Sequence, residues 1–188
     1  MSIFFENLAS HLLVAVPSLN EGPFARSVSL ICQHDEHGAL GMVINQPSEF
    51  TLGEILAHMN MVPQDGNLRA MPVLKGGPLH PERGFIIHDD PRPWLASKTI
   101  SEELFVTTSR DILRAMADGD GPDNALVVLG CAGWAAGQLE NELAQNLWLT
   151  VPADADFLFA TPFDERWLGA AACIGVDMCH LTSYSGHA

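Results

Sequence analysis

Between Ala125 and Asp154 the chain runs without a gap through an apolar stretch, a cluster of small residues and an amphipathic segment. Ala125-Leu126-Val127-Val128-Leu129 reads as a buried strand and Gly130-Cys131-Ala132-Gly133 as a sharp turn. Trp134 to Asn146 reads as a helix with Leu139, Leu143 and Leu147 on its packing side and Glu140, Asn141, Glu142 and Gln145 facing away. A strand feeding a helix through glycines leaves the helix's first N–H groups open to an anionic or carbonyl ligand. That defines a possible site without naming a reaction.

The rest of the chain adds more strands before it than helices. Short apolar runs bounded by Gly, Pro, Asn or Asp predict strands at Leu12 to Val16, Ser27 to Cys32, Ala39 to Asn45, Pro72 to Lys75, Gly84 to His88, Leu104 to Thr107, Leu126 to Leu129 and Leu147 to Val151. Gln33 to Gly38 has the length and closing glycine of a hairpin loop. Helices are predicted at Leu52 to Met59, Arg110 to Ala117, Trp134 to Asn146 and Phe163 to Ile174. Thr108 with Asp111, and Thr161 with Asp164 behind Pro162, resemble capping boxes. A meander followed by alternating strands and helices predicts an α+β fold, with a mixed, strongly bent or barrel-like sheet flanked by helices. At 188 residues, 47% of them hydrophobic, the chain suits a single domain spanning 1–188, with Asn60 to Ala70 as its loosest loop.

Charge narrows the partners. Nine basic residues stand against 23 acidic ones, for a net charge of -14, and the basic ones are scattered. Direct nucleic-acid binding is disfavoured, because phosphate-tracking surfaces need clustered positive charge. Cys32, Cys131, Cys173 and Cys179 lie in or beside apolar runs without CxxC spacing, as buried reduced thiols do. The N-terminus lacks a basic leader, and no apolar run is long enough to span a bilayer, so the expectation is a cytoplasmic protein without a membrane anchor.

Several ordered blocks together resemble the AlgH/YqgE family of small bacterial proteins. They include Leu13-Val14-Ala15-Val16-Pro17-Ser18-Leu19, Gly38 to Pro47, Gly76-Gly77-Pro78-Leu79, Arg83-Gly84-Phe85-Ile86-Ile87-His88 and Thr107-Thr108-Ser109-Arg110-Asp111. Further along come Gly133-Trp134, Gly137-Gln138-Leu139-Glu140, Asn146-Leu147-Trp148-Leu149, Arg166-Trp167 and Gly186-His187-Ala188. The resemblance covers the full chain and implies an α+β fold with a bent, barrel-like sheet. It brings a regulatory label tied to alginate production and no established chemistry. Position 131 is usually aromatic in the family's Gly-x-Ala-Gly-Trp block; Cys131 here argues against a shared thiol nucleophile.

Each candidate site carries a plain structural alternative. Gly130, Gly133 and Gly137 allow a ligand to approach the backbone, yet their spacing is neither a dinucleotide fingerprint nor a P-loop, and tight packing is the cheaper account. Thr107, Thr108 and Arg110 offer hydroxyl and guanidinium donors for a carboxylate or phosphate, or simply a capped helix. Gly76, Gly77 and Arg83 lie around a strand connection that, with Asn45 and Gln46, suggests a shared cleft; turn geometry accounts for the glycines and leaves Arg83 unexplained. Trp134, with Gln138 after it, stands beside that cleft. His34 and His37 have metal-pair spacing but lack a third ligand, so solvated loop residues are the better reading. His88, Cys179, His180 and His187 are isolated candidates.

No nucleophile elbow, zinc motif or P-loop is complete, so neither a metal nor a cofactor is expected. The leading expectation is a non-catalytic regulatory or adaptor protein, binding a small polar ligand or a protein partner in a glycine-rich cleft. The rival is a hydrolase or transferase using the Thr107–Asp111 and Gly130–Trp134 junctions; a DNA-binding regulator comes third.

Overall fold

A computed structural model describes residues 6–181. The strands are β1 (His11–Ala15), β2 (Val28–Asp35), β3 (Gly38–Val43), β4 (Pro47–Thr51), β5 (Pro72–Lys75), β6 (Leu79–His88), β7 (Ser97–Thr99), β8 (Phe105–Thr107), β9 (Ala125–Ala135) and β10 (Trp148–Pro152). The helices are α1 (Leu52–His58), α2 (Gly66–Ala70), α3 (Arg110–Ala117), α4 (Gln138–Ala144), α5 (Ala155–Ala160), α6 (Arg166–Ala172) and α7 (Met178–Leu181). The α+β expectation holds: the sheet is strongly curled into a half barrel, in the order β10-β1-β2-β3-β9-β6-β8-β7. All its pairs are antiparallel except β5 against β9.

The curl follows from β9. Its first half pairs with β6 and, on the other side, with β5; its second half pairs with β3. Between the halves Gly130 takes a φ of +78°, a left-handed conformation that glycine adopts at no steric cost. The irregularity shifts the alternation of faces by one residue. Leu126 and Val128 point into the main core and Val127 away from it. Beyond Gly130, Cys131 again points in, while Ala132 and Trp134 face the other side. One strand thereby serves two differently oriented halves of the sheet.

Three apolar clusters result. Leu12, Leu30, Met42, Ile87 and Val128 on one face of the sheet form a single core with Leu158 of α5 and Trp167 and Ala170 of α6. Ile86 and Val127 on the opposite face pack against Leu52 and Leu56 of α1 and Ile112 and Leu113 of α3. Leu13, Ile31, Ala132, Trp134 and Trp148 gather with Leu139 of α4. Helix α1 starts with a complete capping box, in which the Glu54 N–H bonds the Thr51 hydroxyl and the Thr51 N–H bonds the Glu54 carboxylate at 2.7 Å.

Several expectations need correction. The segment Gly130 to Trp134 is not a turn: β9 runs through it to Ala135, and the helix begins only at Gln138. An apolar run broken by small residues looks like an ending, but here pairing with β3 continues across the break. The helix expected from Phe163 begins at Arg166, and Thr161 is the C-cap of α5, a helix not foreseen, rather than the start of the next. Asp154 caps α5 through the Phe157 N–H at 2.8 Å. Thr108 gives way to Ser109 as the N-cap position of α3. The loop expected at Asn60 to Ala70 contains α2, while β4 and β7 lacked any apolar signal. Gly186-His187-Ala188 lies outside the described residues.

Candidate functional site

The glycine blocks meet at the junction of the two sheet halves. Val43 N–H bonds the Gly76 carbonyl at 2.8 Å, Gly76 N–H bonds the Leu129 carbonyl at 2.7 Å, and Lys75 N–H bonds the Gln46 carbonyl at 2.7 Å. A Cβ on Gly76 would lie 2.4 Å from the Gly130 carbonyl oxygen, and one on Gly77 2.3 Å from that of Cys131. Gly133 is approached by the side chain of Leu79, whose Cδ1 would lie 2.8 Å from an added Cβ. These glycines let three strands cross at backbone contact. Beside them, Lys75, Gly77, Pro81, Leu129, Phe50 and Pro47 line a hollow of about 370 Å³. Arg83 is exposed, with its guanidinium 5.3 Å from the centre of the Phe85 ring.

Trp134 and Gln138 sit elsewhere, around Glu142. One oxygen of this carboxylate accepts the Trp134 indole N–H at 2.9 Å and that of Trp148 at 2.8 Å, and the other accepts the Gln138 amide at 3.0 Å. The two indoles meet edge to face at 6.2 Å, and Phe24 lies 6.3 and 6.0 Å from them. Glu142, expected to face away, is thus the polar centre of an aromatic cluster. Gln138 also accepts the Ala135 N–H at 3.0 Å and closes the passage from β9 into α4.

Thr107, Thr108 and Arg110 form a third group. Thr107 is fully buried, with its hydroxyl 2.7 Å from His88 Nε2. His88 Nδ1 accepts the Asp90 N–H at 3.2 Å, which places the proton of the neutral ring on Nε2 and makes it the donor to Thr107. Burial pushes the His88 pKa down against the opposing pull of Asp90 and Asp89. A depressed histidine resists the proton that the unfolded chain takes up near pH 6.5. Stability should therefore fall as pH drops through about 6.5 and on toward the lower folded-state value, and His88→Gln should flatten that slope in denaturant titrations at each pH. Thr108 donates its N–H to the Ala96 carbonyl, and Arg110 opens α3 exposed. Burial raises the Asp111 pKa, but bonds from the Ser109 hydroxyl and the Leu95 N–H prevail and hold it below the usual carboxylate range.

The imidazoles part company too. His34 is buried on β2, not solvated in a loop: its Nδ1 accepts the Leu8 N–H at 3.1 Å, and its Nε2 lies 2.8 Å from Glu140. His37 is exposed beside Glu36. Among the described residues no group of three or more His, Cys, Asp or Glu is placed to hold a metal ion. Burial pushes the Cys32 thiol up to about 12 and raises that of Cys131, which disfavours the thiolate of both. Cys173 and Cys179 are exposed, contrary to the buried reading.

A larger concavity lies away from the glycine motifs. Asn45, Pro47, Met71, Leu126, Phe159, Thr161, Phe163 and Arg166 are among the residues around a cleft of about 610 Å³. A second hollow of about 350 Å³, reaching Arg26, Trp167 and Met178, shares Asn45, Phe163 and Asp164 with it, so the two form one trough along α6. Asn45 is fixed there: its Oδ1 accepts the Val28 N–H and its Nδ2 donates to the Arg26 carbonyl, both at 2.9 Å. Gln46 donates to the Pro23 carbonyl at 3.1 Å. Pro47 borders both the trough and the glycine-lined hollow.

Arg166 is the residue that sequence reasoning passed over as a site. It is 1% exposed, lies 4.6 Å from the centre of the Phe163 ring, and donates to the carbonyls of Thr161 at 3.0 Å, Leu158 at 2.6 Å and Ile44. Burial lowers its pKa to about 10. The signal was a cation adjoining Trp167 and in helical phase with Ala170, both on the buried face of α6. On β6 and β8, by contrast, the His88–Thr107 pair has hydrogen-bond geometry but no access to solvent.

The architecture is that of a curled-sheet α+β protein with a cleft bounded by Asn45, Pro47 and Leu126 on one side and by the end of α5 and the start of α6 on the other. The chain belongs to the AlgH-like family, whose model matches residues 12–179. It is 64% identical over 181 residues to the UPF0301 protein Smlt1098 of Stenotrophomonas maltophilia strain K279a, covering 96% of each chain. It is 59% identical over 188 residues to the UPF0301 protein xcc-b100_1413 of Xanthomonas campestris pv. campestris strain B100, covering both chains fully. The solution structure of the AlgH protein from Pseudomonas aeruginosa superposes with a TM-score of 0.79 at 40% identity, over 100% of this chain and 98% of that one. Among the described residues no helix is long and apolar enough to cross a membrane.

Proposed function

We propose that this chain is a non-catalytic regulatory or adaptor protein that binds a small polar ligand, or a polar segment of a protein partner, in the trough between Asn45 and Arg166. The observation that carries the reading is the combination of an apolar-walled cleft of about 610 Å³ with a few fixed polar groups, the usual make-up of a ligand pocket. Binding is favoured over turnover because the hydroxyl–imidazole pair is sealed in the sheet, and burial disfavours the thiolate of both core cysteines. The glycine junction supports the trough by fixing where β3 ends and β4 departs. Ala160 is exposed on the rim, so Ala160→Trp should fill the cleft without disturbing the core. In a thermal-shift screen of polar metabolites, the expected result is at least one compound that raises the midpoint of the parent protein and has no effect on Ala160→Trp. A panel without any such compound, or one acting equally on both proteins, would count against the trough.

A further inference from the structure

We propose that the trough takes a small monocarboxylate with an apolar body, and that Arg166 holds its head group; this rests on the trough being the binding site. A guanidinium has five N–H donors, and the three neutral carbonyls of Thr161, Leu158 and Ile44 use one on each nitrogen. One N–H on each terminal nitrogen is left without an acceptor among the described residues, and no carboxylate of theirs pairs with Arg166. A desolvated cation balanced by three carbonyl dipoles and the Phe163 ring, with no carboxylate beside it, is unusual, since buried charges are ordinarily paired. In a chain of net charge -14, many carboxylates were available to pair with it. A planar carboxylate fits a pair of N–H donors of this kind better than any neutral group does.

The walls choose the rest of the molecule. Leu126, Phe159, Pro162, Phe163 and Met71 offer apolar surface for a body of several carbons. Asp164, exposed on the rim shared by the two hollows, repels multiply charged anions and so selects against phosphate and dicarboxylates. Thr161 leaves a hydroxyl near the same opening.

The test titrates the whole chain with butanoate, hexanoate and octanoate at constant ionic strength, with hexanamide as the uncharged match, reading dissociation constants from amide and Arg166 Nε–H chemical shifts. Each added methylene should tighten binding roughly threefold. Hexanamide should bind about tenfold or more weaker than hexanoate. Arg166→Lys, which keeps the charge and loses the fork, should weaken hexanoate about fivefold or more; Asp164→Asn should tighten it about twofold. If Arg166→Lys does not fold, the acid-to-amide ratio and Asp164→Asn decide the matter. Hexanamide binding as tightly as hexanoate in the trough would overturn the carboxylate assignment and leave the binding reading standing. Shifts that ignore chain length, or carboxylates that do not bind at all, would overturn it as well, whereas the binding reading falls only if the wider metabolite screen is also empty.

Discussion

Gly77→Ala is expected to cost about 3–5 kcal/mol of folding free energy and to leave little folded protein at 37 °C. The added methyl would lie 2.3 Å from the Cys131 carbonyl oxygen and 2.4 Å from its carbon, and Gly77 holds a φ of +150° that side chains rarely adopt. Both neighbours are backbone, so no rotamer change relieves the overlap; β5 and β9 would have to move apart. Gly22→Ala is the control. It also has a positive φ, of +78°, but nothing lies within 4 Å, so it should lose only the conformational part, about 1 kcal/mol. Urea titration of both variants gives the difference directly, and equal losses would mean that the glycine junction is conformational rather than steric.

Glu142→Ala should cost about 2–4 kcal/mol, because it leaves two indole N–H groups and the Gln138 amide without their acceptor at the edge of the third core cluster. Glu142→Gln keeps one carbonyl oxygen but turns its other position into a donor facing donors, so an intermediate loss is expected. Near-UV circular dichroism and the two indole N–H resonances report the cluster. A Glu142→Ala protein with unchanged indole shifts and unchanged stability would show that the carboxylate is not what orders Trp134 and Trp148.

These two experiments mark where the sequence could be read and where it could not. Strand positions were legible wherever an apolar run was bounded by breakers, as at β5, found at Pro72–Lys75, and α3 was legible from the capping residues ahead of it, though the cap falls at Ser109 rather than Thr108. The glycine-rich blocks were visible too, but their meaning was not. Glycines that admit a ligand and glycines that admit another strand look identical in one dimension, and only the partner at 2.3 Å distinguishes them. Gly130 misled most, since a bulge and a turn share the same residue and the same positive φ. Of the twelve residues expected to line a cleft, Asn45 lies in the trough, and the others fall into the junction, the Glu142 cluster and the β8–α3 corner. Arg166 lay outside the reading because its three acceptors are backbone carbonyls from α5 and from beyond β3, which no side-chain motif encodes.

The most direct test of the account is chemical-shift mapping of any compound found by the metabolite screen, on the parent protein and on Ala160→Trp. The expected result is saturable movement confined to Asn45, Leu126, Thr161 to Arg166 and their neighbours, abolished by the tryptophan. Movement centred on Gly76, Gly77, Arg83 or Thr108 to Arg110 and undiminished in Ala160→Trp would contradict it, returning the functional surface to the glycine junction or the α3 corner.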